Sequence, residues 1–243
     1  MRLRVRFTPE GPDRADLDDQ VVVVIDVLRA TTSILEALAA GGRAVVPVDS
    51  VEAAVRKKDE LGREGVLLCG ERRSRPIAGF DLGNSPREFT ADRVAGRILL
   101  MTTTNGTAAL RTGAAGRECM VACLRNADAV VDALVRAGTD VTLLCAGREG
   151  RFAFEDAVCA GVIARRIAQR DGRVRPDDAA RAAALLASRF ESRLDWLLPR
   201  TAAGRRLARA GFANDIPFCA ALNRHRVVPR LRDHLITLQA ENA

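Results

Sequence analysis

The run Val21-Val22-Val23-Val24-Ile25 constrains this chain more than any other feature. Five consecutive β-branched residues are too apolar for a strand with one wet face, so they predict a strand covered on both sides, the usual state inside a parallel sheet. Asp26 ends the strand. After Val27-Leu28-Arg29-Ala30, the spacing of Ser33 and Glu36 reads as a capping box, Ile34, Leu35 and Leu38 supply an apolar helical face, and Gly41-Gly42 can stop the helix. Asp26, Arg29, Thr31 and Thr32 are therefore expected at the carboxyl edge of a sheet, beside a helix N-terminus. Open α/β sheets bind ligands there, and the unpaired N–H groups favour an anion. These residue types admit two readings: a metal-plus-phosphate site, or plain capping of backbone groups by Asp26 and the threonines.

The strand-turn-helix pattern recurs along the chain. Residues 2–7 alternate in polarity and predict an edge strand, residues 44–48 a short strand whose Pro47 suggests an edge position, and residues 50–61 an amphipathic helix. Further strands are expected at 66–69, 97–101, 118–123 and 140–146, with a capped helix over 126–137. Residues 162–171, 176–198 and 201–210 read as packing helices with solvated basic faces, and 227–229 and 235–238 as closing strands. The expected architecture is α/β, layered α/β/α on a largely parallel or mixed sheet. It spans 1–243 as a single domain, or as two lobes that meet near 115–125.

Three turns carry chemistry. Residues 70–89, GERRSRPIAGFDLGNSPREF, have no sustained period and offer Glu71, Arg72, Asp81, Asn84 and Ser85. Within them Ser85-Pro86-Arg87-Glu88 reads as a capping box with proline at the first helical position, which assigns Ser85 and Glu88 to capping. Residues 102–107, Thr-Thr-Thr-Asn-Gly-Thr, follow a buried strand and suit the wrapping of phosphate oxygens by N–H and O–H donors, without the lysine and glycine spacing of a Walker loop. Residues 145–161, CAGREGRFAFEDAVCAG, hold Cys145 and Arg151 at the C-x5-R spacing of thiolate phosphatases. They also hold Glu149, Glu155 and Asp156, carboxylates of the kind that bind Mg²⁺ or its waters.

Composition removes several classes. The net charge is +7 and the pI about 9.7, yet Lys57 and Lys58 are the only lysines and the arginines are scattered among 31 acids. With eight Phe, one Trp and no Tyr there is no basic-aromatic surface for stacking bases, so a nucleic-acid partner is not expected. No apolar run approaches the roughly 20 residues that span a bilayer, and the first residues alternate where a signal peptide would be continuously apolar. A cytoplasmic protein without membrane contact is the expectation. None of the six cysteines forms a C-x-x-C pair, which predicts buried free thiols, and with only two histidines a Cys/His zinc site has little support. His225 and His234 read as surface or packing residues.

Taken in order, IDVLRATTSI, GER, GFDLGNSP, TTTNGT, CAGREGRFAFEDAVCAG and NDIPFC resemble the 2-phosphosulfolactate phosphatase family. The resemblance runs from about Val22 to Pro229. It implies an α/β fold and a Mg²⁺-dependent phosphatase that converts 2-phosphosulfolactate to 3-sulfolactate, a step towards coenzyme M. Residues 192–206 do not clearly match the family pattern, and the arginines at 148 and 151 are more basic than it, so another small phosphorylated 2-hydroxy acid is the alternative substrate.

The expected mechanism is hydrolysis by a Mg²⁺-activated water. Asp26, Glu71 and Asp156 are the first candidates for the metal or its water shell, with Glu149 and Glu155 in reserve. Arg29, Thr31, Asn84, Thr104, Asn105, Gly106 and Thr107 are candidates for the phosphate and substrate. Arg72 or Arg125 is placed on the substrate's carboxylate or sulfonate, and Asp81 or Asp215 as general acid or base. Two covalent rivals are an aspartyl-phosphate on Asp26, which lacks the second acid of a D-x-D motif, and a Cys145 thiolate. A non-catalytic anion-binding module is the rival from another class, disfavoured because uncompensated carboxylates repel phosphate. A homo-oligomer is expected only from the base rate for soluble enzymes.

Overall fold

The computed structural model describes residues 1–10 and 16–238. The strands are β1 (Arg2–Arg6), β2 (Val21–Ile25), β3 (Ala44–Pro47), β4 (Val66–Arg72), β5 (Arg75–Pro76), β6 (Ile98–Thr102), β7 (Glu118–Ala122), β8 (Val141–Cys145), β9 (Arg175–Pro176), β10 (Pro229–Arg232) and β11 (Leu235–Leu238). The helices are α1 (Ala30–Ala39), α2 (Val51–Leu61), α3 (Ala91–Val94), α4 (Gly106–Gly113), α5 (Ala127–Ala137), α6 (Phe154–Arg170), α7 (Asp178–Phe190), α8 (Leu194–Leu197), α9 (Ala202–Arg209) and α10 (Asp215–Ala220).

All these strands join one mixed sheet, ordered β5-β4-β6-β3-β11-β10-β7-β2-β8-β1-β9. It consists of two parallel blocks, β4-β6-β3 and β7-β2-β8-β1, bridged by the antiparallel β10-β11 hairpin. Every residue of β2 is buried, as its composition demands, because β7 and β8 flank it and helices cover both faces. One apolar cluster lies under α5, α6 and α7, and another under α1 and α4. The registers bring the strand ends level: Ile25 sits between Ala122 and Cys145, and Gly70 opposes Thr102. Gly70 holds φ +145°, and a Cβ there would fall 1.9 Å from the carbonyl oxygen of Thr102, so the residue before Glu71 must be glycine.

Several expectations are corrected. α1 starts at Ala30, a turn earlier than the Ser33-Glu36 capping box implies; Ser33 is inside the helix and its hydroxyl donates to the Asn84 carbonyl at 2.9 Å, while Glu36 pairs with Arg125 at 2.7 Å. β3 is interior. Pro47 is tolerated because Val48 supplies the next bond to β6 and pairing with β11 is confined to Val45 opposite Ile236. β1 has β9 on its outer side. β4 runs on to Arg72, which places Glu71 on a strand. α6 starts at Phe154, and the helix expected over 176–198 is divided, with α7 ending at Phe190. The 201–210 helix and the closing strand at 235–238 are found where the pattern placed them.

Candidate active site

The carboxyl ends of β2, β4, β6 and β8 converge on one cavity. At its floor Asp26 is fixed by the turn it begins. Its N–H donates to Thr31 Oγ1 at 2.9 Å, its carbonyl accepts from that hydroxyl at 2.8 Å, and Oδ1 accepts the Ala30 N–H at 3.2 Å. Thr31 is therefore a strut beneath the site.

Two neighbouring carboxylates are braces. Asp156, near the start of α6, accepts the N–H of Val27 at 2.8 Å and of Gly147 at 3.2 Å, one on each oxygen. Glu71 accepts Ser74 N–H at 2.6 Å and Thr104 N–H at 2.7 Å, which ties the β4-β5 hairpin to the turn after β6. Thr107 and Thr103 exchange hydrogen bonds, including Thr103 N–H to Thr107 Oγ1 at 2.9 Å, and so close the start of α4.

Burial dominates the electrostatics. Asp26 is pushed up to about 7, chiefly by desolvation, with the charges of Glu71 and Glu155 adding to it against the Ala30 N–H and Arg29. Desolvation also raises Glu155, against the pull of Arg148, and raises Asp156 well above the usual range, with Asp26 and Glu155 contributing. A cluster of buried acids held this way is short of positive charge.

Among the described residues Arg29 is the one buried cation lining the cavity, and it is spoken for on one side. Its Nη1 donates to Asp215 Oδ2 at 2.7 Å, Nη2 lies 3.4 Å from the Ser74 carbonyl, and the guanidinium sits 4.5 Å above the Phe212 ring. Ser85, assigned by its spacing to capping, makes no cap; its hydroxyl donates to Asp215 Oδ1 at 2.7 Å.

The cavity thus unites Asp26, Arg29, Glu71, Asn84, Thr104, Asn105, Glu155 and Asp156 from the sequence candidates. Gly106 and Thr107 lie just behind, at the N-terminus of α4. The rest lie elsewhere. Asp81 accepts from Lys58 at 2.9 Å and from Leu68 N–H at 2.7 Å, outside the cavity. Arg72 donates to Glu71 O and Thr102 Oγ1, and Arg125 to Glu36 and the Phe218 carbonyl while stacking on Phe218. Glu149 is exposed and paired with Arg206 at 2.8 Å. Asp215 stands behind Arg29 with both oxygens engaged, which removes it as a free acid or base. The Cys145 thiol is fully buried in β8 and pushed far up by desolvation, so the thiolate route is closed. All six cysteines are free and buried, as expected.

Sequence reasoning missed Arg73, Ser74, Arg148 and Arg206 at the cavity. Arg148 lay in a quoted motif; Arg206 was hidden in a helix read as packing, although Ala203, Arg206 and Leu207 have the spacing of one helical face.

Among the described residues no three His, Cys, Asp or Glu side chains are grouped so as to hold a metal ion. Mg²⁺ asks for less, one or two carboxylates with waters and substrate phosphate completing the shell. Oxygens remain for that: Asp26 Oδ2, Asn84 Oδ1, a buried acceptor with no donor, and the Glu155 carboxylate, which Thr201 also engages. These fit the ion; Glu71 and Asp156, each already accepting two backbone N–H groups, and Glu149, outside the cavity, are less suited than their types suggest.

Residues 6–234 match the sequence profile of the 2-phosphosulpholactate phosphatases. The chain belongs to that family. Relatives named "Probable 2-phosphosulfolactate phosphatase" include those of Caldanaerobacter subterraneus subsp. tengcongensis, 38% identical over 97% of this chain and 98% of the relative, and Symbiobacterium thermophilum, 41% identical over 93% and 97%. That of Thermus thermophilus is 40% identical over 96% of this chain and 95% of its own length. This 2-phosphosulpholactate phosphatase family member is accordingly a phosphoric monoester hydrolase. No helix among the described residues is long and apolar enough to cross a membrane.

Proposed function

We propose that this chain is a Mg²⁺-dependent phosphatase that hydrolyses 2-phosphosulfolactate to 3-sulfolactate and phosphate. The observation that carries the metal reading is the orphan acceptor Asn84 Oδ1 in the same cavity as the raised carboxylates Asp26 and Glu155. A buried acceptor without a donor costs free energy that a cation or its water relieves. The names of the relatives support this choice of substrate.

Asp26, Glu155 and Asn84 would hold the ion, which when bound neutralises phosphoryl charge and makes a water acidic. The chain's own residues do the rest. Arg29, held on one side by Asp215, presents its charge to the phosphoryl group, and the Thr104 hydroxyl and Asn105 at the start of α4 add donors around it. Glu71 and Asp156 keep these loops in register through their paired N–H contacts.

The test is phosphate release from racemic 2-phosphosulfolactate, 2-phospholactate and phosphoglycolate, each with Mg²⁺ and with excess EDTA. Chelator-sensitive release, fastest from the sulfonate, is expected. Release insensitive to EDTA removes the metal; release only from the carboxylates moves the substrate.

A further inference from the structure

The buried lining of the cavity is mostly acid, with Arg29 beside the acids, and its half-buried lining carries further arginines. Asp26, Glu71, Glu155 and Asp156 are between 2% and 7% exposed, whereas Arg148 and Arg206 are half-buried at the rim. Each rim arginine is placed by a built element. Arg148 opens a tight turn after β8, closed by reciprocal Arg148 and Arg151 backbone bonds of 2.8 and 3.0 Å. The Glu149 N–H of that turn donates to Asn105 Oδ1 at 2.8 Å, which locks it to the phosphate turn. Arg206 projects from α9, whose start is capped by Thr201 accepting Gly204 N–H at 3.1 Å, and its Nη1 holds Glu149 at 2.8 Å. One residue, Glu149, thus cross-links the turn to the helix and sets the spacing of the two guanidinium groups.

Many arginines in the described chain have a carboxylate or carbonyl, as Arg125 has Glu36 and Arg166 has Asp128 and Glu191. The Arg148 guanidinium makes no hydrogen bond or ion pair among the described residues, although Glu149 and Glu155 feel its charge, and Arg206 makes only the one to Glu149. A half-buried guanidinium with unused donors, facing a cavity, fits a planar or trigonal oxyanion. The phosphoryl group already has Arg29 and the α4 N-terminus. We infer that Arg148 and Arg206 form a second anion cradle that takes the substrate's non-phosphoryl acid group, a carboxylate or sulfonate on the carbon skeleton that bears the phosphate. The enzyme is then selective for phosphorylated acids over plain phosphomonoesters. This deepens the phosphatase reading and rests on it.

The test compares 2-phospholactate with isopropyl phosphate, the same secondary phosphoester with a methyl group in place of the carboxylate, in wild-type protein and in Arg148→Gln and Arg206→Gln. Wild-type protein is expected to favour the acid in kcat/KM by about 10²-fold or more, since a site built for a polar group rejects an analogue that lacks it. Either substitution is expected to cut that preference about tenfold or more, chiefly through KM for the acid, the loss typical of one charged hydrogen bond; Arg→Lys at the same position recovers part of it. A preference unchanged by both substitutions, or a wild-type protein that does not discriminate, overturns the cradle. Release from neither ester nor from 2-phosphosulfolactate by folded wild-type protein overturns the phosphatase reading itself, a result distinct from lost selectivity.

Discussion

Arg29 and Asp215 meet at 2.7 Å with side chains only 2% and 3% exposed, although they stand at opposite ends of the chain, one before α1 and the other opening α10. Ser85 Oγ fills the second oxygen of Asp215 and Phe212 covers the guanidinium. The carboxylate has no position left from which to carry a proton to substrate. Its work is to aim Arg29.

Replacing Asp215 by Asn leaves a buried guanidinium without its counter-charge, and breaking one side of such a pair costs about 3–5 kcal/mol. The urea midpoint should fall accordingly and kcat/KM for phosphate release by about 10²-fold or more, as the phosphoryl cation loses its direction. The pH–rate profile should keep both limbs. Loss of one limb would return Asp215 to the role of acid or base.

Asp26→Asn separates chemistry from stability. Asp26 is raised from 3.8 to about 7, so its protonated form is favoured in the fold; the contribution is full below pH 3.8 and is lost as pH rises towards 7. In EDTA, wild-type Tm should therefore fall between about pH 4 and 7 relative to the variant, whose neutral amide carries no such penalty. Each kcal/mol recovered corresponds to roughly 2–4 °C for a chain of this size. Phosphate release by Asp26→Asn should be abolished. Mg²⁺ should raise wild-type Tm at pH 8 and leave the variant's nearly unmoved.

What the sequence made legible follows from how local each signal is. β2 and the turn at 102–107 are written in contiguous residues, and both fell where their patterns required. Asp26, Arg29, Glu71 and Asp156 were legible because each directly follows or ends a strand, or opens a helix, and parallel registers gather those ends together. The failures are contacts between distant segments. Ser85 and Glu36 matched capping spacings, but Asp215 and Arg125 compete for them from across the fold. Asp81 looked catalytic in a polar loop, yet β4 and α2 claim it. α9 gave only a helical period, and nothing local distinguishes an arginine turned to solvent from one turned to the cavity.

Asp81 should prove dispensable for turnover. Burial pushes its carboxyl up, but Leu68 N–H and Lys58 outweigh this and hold it below the usual range. A lowered pKa gives stability that is present above the unfolded value and lost as pH falls through the folded one, here below about 4. Asp81→Asn is thus expected to keep kcat within about twofold and to show a small Tm loss at pH 7 that vanishes in acid. A collapse of kcat in folded protein would contradict its placement.

Cys145→Ala should also retain phosphate release. The thiol is enclosed among apolar residues of β8 and α6 and its pKa is far above neutrality, so at pH 7 there is no thiolate to attack phosphorus. The expected cost is about 1 kcal/mol from the small cavity left behind. Iodoacetamide should leave folded wild-type protein unlabelled at this cysteine and fully active; inactivation that tracks its labelling would revive the covalent route.

Gly106 tests the closeness of α4 to the floor of the cavity. A Cβ on it would fall 2.4 Å from Ala30 Cβ, 2.9 Å from Asp26 Oδ2 and 3.2 Å from Thr103 Oγ1, so the two helix starts pack through a hydrogen atom. Gly106→Ala should destabilise the protein by about 1–3 kcal/mol through overpacking and lower kcat/KM, because either Asp26 or the α4 amides must move. Combining it with Ala30→Gly removes the tighter clash at the cost of up to about 1 kcal/mol of helix propensity. The double variant should regain much of the lost Tm but little of the activity, since the contact with Asp26 Oδ2 remains. Recovery of both together would mean that Gly106 is there only to let the helices pack.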